Sequence, residues 1–281
     1  MNFSLYPKYG ALNSPPVFQA FSDGCKKLKH QVSIHNHNAD VAVIWSVLWD
    51  GRMRLNQDIW NHYRKQNKPV IVLEVGTLAR SKTWRVGVNG INREAIFGNE
   101  NSDNARRKKF KLKYNNNRSN NNGPIIICGQ SPKSRQWRDM PSLQIWVANM
   151  IQTIRTQTDR HIIVRPHPRY PIPKMEFANV SYQIPNHVKN DTWDLDVKNA
   201  YAIVNLSSGP GIQGAISGVP VYVGEESLAY DIGNPLLGDY LNPIQTDYDK
   251  KNQWLNDLTY TEWDVNEIAQ GIPLKRLEPY L

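Results

Sequence analysis

Apolar positions in the first hundred residues switch between a strand period and a helix period. "NFSLYP" is a short strand-like run, and "SPPVFQAFSDGCKKL" is a helix opened by Ser14 and two prolines. "QVSIHN" and "ADVAVIWSVLW" follow, the second a continuous apolar run suited to a strand buried on both faces. "RLNQDIWNHYRKQN" spaces Leu55, Ile59 and Tyr63 by a helical turn, and "KPVIVLEVG" is a β-branched strand. Strand and helix alternating over short connections predict an α/β unit with a parallel sheet.

The alternation restarts at residue 124. "GPIIICGQ" reads as a strand ending in Gly129, "PSLQIWVANMIQTIRTQT" as a helix and "HIIVRPHP" as a strand. "VKNAYAIVNLSS" reads as a helix end passing into another strand, "GIQGAISG" as a short helix and "VPVYVGE" as a strand. The expected domains are an acceptor-side lobe over 1–114, an Asn-rich basic linker over 115–123, a second lobe over 124–250, and a partly helical tail over 251–281 packing across the lobes. The predicted fold class is α/β, with two Rossmann-like lobes facing across a cleft. Ligands of open α/β sheets bind at the carboxyl ends of the strands.

The chain has 281 residues, 40% of them hydrophobic and 21% charged, which supports one large or two moderate cores. No apolar stretch approaches the roughly 20 residues of a membrane span, and the start lacks a basic segment leading into an apolar one. Cys25 and Cys128 stand far apart and fit no metal spacing, so they read as reduced core thiols of a cytoplasmic protein.

Net charge changes the picture more. Of the formal +9, seven charges lie between Ala105 and Gly123 without an acid: Arg106, Arg107, Lys108, Lys109, Lys111, Lys113 and Arg118. Such a segment is either a solvated linker or an electrostatic footprint for a polyanion, nucleic acid above all. Asn115–Asn117 and Asn120–Asn122 make it low in complexity.

Three sets of polar residues are expected at successive strand ends of the second lobe. Gly129, Gln130 and Ser131, with Lys133, Ser134 and Arg135, follow the first strand. Arg165, His167 and Arg169 follow the second; Ser207, Ser208 and Gly209, with Gln213 beyond, follow the third. Small residues with free N–H groups at a helix start suit phosphate, and arginine adds a fork matched to its oxygens. Gly-Pro-Gly alone also marks a plain turn, and Arg165 alone an ion pair; the three sets together point to a nucleotide diphosphate.

"VRPHPR", then "VNLSSGPGIQGAISGVPVYVG", resembles the C-terminal lobe of GT-B-type glycosyltransferases, nearest the capsule-polysaccharide and glycerophosphotransferase-like branch. "GQSPKSRQW" is similar to that branch's first phosphate loop. The likeness covers roughly residues 124–232 and departs at Gln213, where the pattern has a glutamate. It implies sugar transfer from a nucleoside-diphosphate sugar, with no permanently bound cofactor and no metal. His35 and His37 of "HNHNAD" are of a type that binds metal, but they alternate along one strand without a carboxylate or cysteine partner, and the plain-loop reading is preferred.

A glycosidic bond needs a base for the acceptor hydroxyl. Asp50 and Glu74, at strand ends of the first lobe, are the candidates, against the plainer reading of turn or cap carboxylates. "KTWRVGVNGINREAIFGN" reads as a loop whose Trp84, Arg85 and Arg93 suit a base swung out of a duplex. With the basic segment, this favours enzymes resembling those with which bacteriophages glycosylate 5-hydroxymethyl pyrimidines in their own DNA. The expected partners are then duplex DNA and a nucleotide sugar, in the host cytoplasm. The alternatives are a transferase of surface polysaccharide and a non-catalytic nucleotide-sugar or DNA-binding module.

Overall fold

In a computed structural model, residues 1–113, 120–189 and 192–281 are described. Arg118 and part of the Asn-rich segment lie outside these. The chain divides into two compact units, unit 1 being Met1–Arg106 with Asn256–Leu281, and unit 2 Arg107–Leu255.

Unit 1 begins with β1 (Asn2–Leu5), α1 (Pro15–Lys27), β2 (Gln31–Ile34), β3 (Val41–Trp45), α2 (Asn56–Lys65), β4 (Val70–Val75) and β5 (Trp84–Val88). Helix α3 (Ala105–Phe110) runs over the division. Unit 2 continues with β6 (Ile125–Cys128), α4 (Leu143–Arg155), β7 (Ile162–Arg165), β8 (Val180–Tyr182), β9 (His187–Lys189) and β10 (Thr192–Trp193). Then come β11 (Ala202–Asn205), α5 (Gly209–Ile216), β12 (Val221–Val223), β13 (Asn234–Pro235) and α6 (Tyr248–Thr259). The chain closes unit 1 with β14 (Glu262–Trp263), α7 (Val265–Ala269) and α8 (Ile272–Leu277).

Alternation along each strand builds both faces of each sheet. In unit 1, Phe3, Leu5, Val41, Val43, Ile71 and Leu73 meet α1, α7 and α8, while Ala42, Ile44, Val70 and Val72 meet Ile59, Trp60 and Tyr63 of α2. In unit 2, Ile125, Ile127, Ile162 and Val164 pack on α4, and Ile126, Cys128, Ile203 and Val221 on Ala215 of α5. Residues 2–5, 15–27, 41–45, 70–75, 125–128, 143–155 and 162–165 take the structure their periods predict.

The unit 2 sheet runs β13-β12-β11-β6-β7-β8, every pair parallel. From β6 the chain moves to one side, then returns at β11 and moves to the other. The topological switch point therefore lies between the carboxyl ends of β6 and β11, the crevice where open α/β sheets take ligands. The unit 1 sheet runs β14-β5-β4-β3-β1-β2, parallel from β4 to β2, with β5 antiparallel to both its neighbours.

Two expectations are corrected here. "TWRVGV" is strand β5, registered against β4 from Ile71↔Val88 to Val75↔Trp84, and not a loop. Trp84 is consequently buried, and no base can stack on it. The turn at Val197–Ala200, read as a helix end, leads straight into β11.

Candidate functional site

Unit 2 brings its three predicted sets to one edge of the sheet. Gly129 leaves β6 so close to the exit of β7 that a Cβ there would stand 2.9 Å from His167 N. Its N–H donates to Arg165 O at 2.8 Å. Only glycine leaves that approach undistorted.

Gln130 links the other pair of exits. Its Oε1 accepts from Ser207 N and Ser207 Oγ, both at 3.1 Å, and its Nε2 donates to Ser134 Oγ at 3.1 Å. Gln130 is 6% exposed and Ser207 1%, so neither side chain reaches into solvent for a ligand. Both were expected to contact the donor; they join β6 to β11 across the switch point instead. Ser131 is buried in the same turn, its carbonyl taking Ser134 N–H and Oγ–H. Lys133 is exposed and Arg135 half-buried.

Ser208 is the N-cap of α5, with extended backbone and no side-chain bond to the helix. Its Oγ accepts from Asn205 Nδ2 at 2.6 Å, which leaves its proton to donate outward. Asn205 was missed in the sequence. It is fully buried, and its Oδ1 has no partner among the described residues. The missed signal is a spacing: Gly209, Gly211 and Gly214 form G-x-G-x-x-G between a strand and a helix. A Cβ on Gly211 would meet Asn205 Oδ1 at 2.9 Å, and one on Gly214 would meet Val221 Cγ1 at 2.8 Å, so both glycines serve close helix–strand packing. Gln213 lies half-buried on α5.

Arg165 is corrected from an open phosphate fork to a buried ion pair. At 5% exposure it donates from NH1 to Gln183 Oε1 at 2.9 Å and from NH2 to the backbone oxygen and the carboxylate of Asp194. The Asn186 and Arg165 donors hold the Asp194 carboxyl below its usual range, so the pair stays ionised.

His167 keeps its place on the rim. Burial first, then the Arg169 guanidinium, push its pKa from 6.5 down to about 4, so the imidazole is neutral. Its Nδ1 accepts from Arg169 N at 3.2 Å, which puts the remaining proton on Nε2 as a donor. The Arg169 side chain is exposed.

In unit 1, Asp50 caps a tight turn by accepting from Gly51 N at 2.8 Å, and Glu74 accepts from Val75 N at 2.7 Å. Arg85 and Arg106, counted among DNA-binding cations, are both buried. Arg85 donates to Thr77 Oγ1, Ile91 O and Asn92 Oδ1 and faces Glu262 at 3.6 Å. Arg106 grips Glu267 with both terminal nitrogens, donates to the carbonyls of Thr259 and Glu262, and lies 3.9 Å over the Trp263 ring. Arg107 is half-buried and bonded to Asn252 Oδ1, whereas Arg93, Lys108, Lys109, Lys111 and Lys113 are exposed.

Among the described residues, no group of three or more His, Cys, Asp or Glu side chains is placed to hold a metal ion, and no helix is long and apolar enough to cross a membrane.

No family model matches the chain, and no curated protein matches it. Solved structures do. Thermosulfurimonas dismutans KpsC, beta Kdo 2,7 transferase, superposes with a TM-score of 0.55 at 12% identity, covering 98% of this chain and 100% of that one. The KpsC beta Kdo 2,4 transferase gives 0.54 at 13% identity, covering 93% and 90%. At such identities the likeness speaks for the fold, and the fold of this chain is GT-B-type: two α/β units, each on a six-stranded and mainly parallel sheet.

Proposed function

We propose that this protein is a glycosyltransferase of surface-polysaccharide synthesis, using a nucleotide-activated sugar held at the switch point of unit 2. The observation that carries the reading is the rim where β6, β7 and β11 end. There, Ser208 Oγ–H, the first turn of α5 and the Nε2–H of a neutral His167 offer donors to a phosphate oxygen. In the transfer, the bond from the anomeric carbon to the donor phosphate breaks, and its electron pair leaves with the phosphate. Donors fixed in advance stabilise that charge without reorganising.

The fold likeness to two Kdo transferases supports a glycan acceptor over DNA. So does the burial of Arg85 and Arg106, which removes two of the cations a duplex was expected to meet. Exposed Lys108, Lys109, Lys111 and Lys113 suit an acidic glycan as well as nucleic acid.

The test is a thermal-shift screen against nucleoside mono- and diphosphate sugars. Mass spectrometry of transfer assays then compares capsule-type oligosaccharides, including Kdo-terminated ones, with duplex DNA bearing 5-hydroxymethyl pyrimidines. Glycosylated oligosaccharide with unmodified DNA is expected. Modification of DNA alone would reverse the choice of acceptor, and no nucleotide shift would remove the donor site.

A further inference from the structure

Strand β11 ends on a polar residue where its burial calls for an apolar one. Asn205 is fully buried and stands in register with Cys128 of β6 and Val223 of β12, on the sheet face that α5 covers. Its Nδ2 donates to Ser208 Oγ at 2.6 Å. Its Oδ1 has no hydrogen-bond partner among the described residues and faces α5, 2.9 Å from where a Cβ on Gly211 would stand. A buried amide with one end unpaired costs stability, and an apolar side chain at this position would carry no such cost. The strand ladder does not need the amide, so its use lies in the bond to Ser208.

Ser208 is the N-cap of α5, a helix of 8 residues. A serine at that position ordinarily turns its oxygen onto an N–H of the first turn, satisfying one of the donors that a helix start leaves open. The Ser208 side chain makes no such bond, because the Asn205 amide holds its oxygen from behind. The hydroxyl then accepts inward and donates outward. The first turn of α5 keeps its uncapped N–H groups beside that proton, where an anion can take both.

His167 repeats the arrangement across the rim. A hydroxyl and a neutral imidazole can each donate or accept, and each is polarised here by an N–H behind it: Asn205 Nδ2 on Ser208 Oγ, Arg169 N on His167 Nδ1. Both groups thus offer protons to the crevice, which suits phosphate oxygens that carry none.

We propose that Asn205 is a positioning residue for the phosphate: it holds the Ser208 oxygen off α5, aiming the hydroxyl proton at the ligand and keeping the helix start open. Gly211 belongs to the device, since only glycine there leaves the Asn205 oxygen its place. The inference rests on the reading of this rim as the nucleotide site and adds the residue that prepares it.

The test is a double-mutant cycle on the full chain with Asn205→Ala and Ser208→Ala. Isothermal titration measures the affinity of CMP, UDP, GDP, ADP and dTDP, and the cycle uses the one that wild type binds most tightly. Ser208→Ala should weaken it about 10- to 100-fold, the range of a hydrogen bond to a charged group. Asn205→Ala should weaken it about 5- to 50-fold, because the released hydroxyl turns to cap α5. Added to Ser208→Ala, the second substitution should change affinity by less than about twofold, since the amide acts through the hydroxyl. A merely structural role would lower affinity by the same factor with or without that hydroxyl. Equal factors overturn the proposal, as does an Asn205→Ala affinity within about twofold of wild type, or binding untouched by Ser208→Ala. If Asn205→Ala does not fold, the side-chain amide signals of wild-type Asn205 in ¹H–¹⁵N spectra decide: a shift on saturation with that nucleotide supports the proposal, and none overturns it. A wild-type chain that binds none of the five nucleotides defeats the donor-site reading, and this inference with it. Binding that Ser208→Ala weakens and Asn205→Ala does not defeats this inference alone.

Discussion

Replacing Gln130 with methionine removes the cross-tie between β6 and β11 while nearly conserving volume. Three hydrogen bonds go, of which two matter. Ser207 N–H and Ser207 Oγ–H both end on Gln130 Oε1, at a residue 1% exposed, so both donors are left buried without a partner. Ser134 Oγ keeps its bond to Ser131 O and loses less. A buried donor stripped of its partner costs roughly 1–3 kcal/mol, so the pair costs about 2–4 kcal/mol once Ser207 relaxes partly. In a unit of this size that lowers the melting midpoint by on the order of 5–15 °C. Calorimetry or circular dichroism reads the midpoint, and a cycle with Ser207→Ala isolates the bond to the hydroxyl, with a coupling of about 1 kcal/mol expected. The rim should also loosen, weakening nucleotide binding in the thermal-shift screen. A midpoint within about 1 °C of wild type, or strictly additive single variants, would refute the claim that Gln130 joins the two strand ends.

His167 predicts a pH dependence of stability. Its folded pKa is depressed to about 4 from 6.5. Between those values the unfolded chain binds the extra proton, so stability falls as pH drops from about 6.5 towards 4, by at most about 3 kcal/mol. Urea titrations from pH 4 to 7 should show a shallower slope for His167→Gln than for wild type; parallel curves would contradict the neutral imidazole. Arg106→Lys keeps the charge but loses the fork on Glu267 and the bonds to Thr259 O and Glu262 O. With the charge kept, what is lost is the second contact to Glu267 and the bonds to the two buried carbonyls, about 1–3 kcal/mol. Chemical denaturation should show that loss whether or not DNA or glycan is present, whereas a role confined to a polyanion would leave the midpoint unchanged.

The two-unit design was legible because burial on both faces writes itself locally. A strand between two helix layers must be apolar at consecutive positions, as in "VAVIW", "IIIC" and "AIVN", and a helix covering it must be apolar every third or fourth residue. Glycines and small polar residues after such runs located the rim for the same reason. Short edge elements escaped: β8, β13 and β14 have two or three residues each, too few to show a period. Strand β5 was hidden by Arg85 and Gly87: the first depends on Glu262, far along the chain, and the second on the close approach of Gly90 O and the Phe97 ring.

Sequence alone thus determined the α/β layers and which residues stand at the strand ends, because both follow from the period of burial along a few consecutive positions. Tertiary structure decided what each polar residue does there. Arg165 is neutralised by Asp194, Arg106 by Glu267, and Ser207 is capped by Gln130, across separations of 29, 161 and 77 residues. His35 lies in the loop the sequence suggests, and its ring meets those of Tyr6 and Tyr9 because sheet order sets the ends of β1 and β2 side by side. A charge or a hydroxyl looks the same in a sequence whether it is spent on a distant partner or free for a ligand; only the folded chain brings the partner within reach.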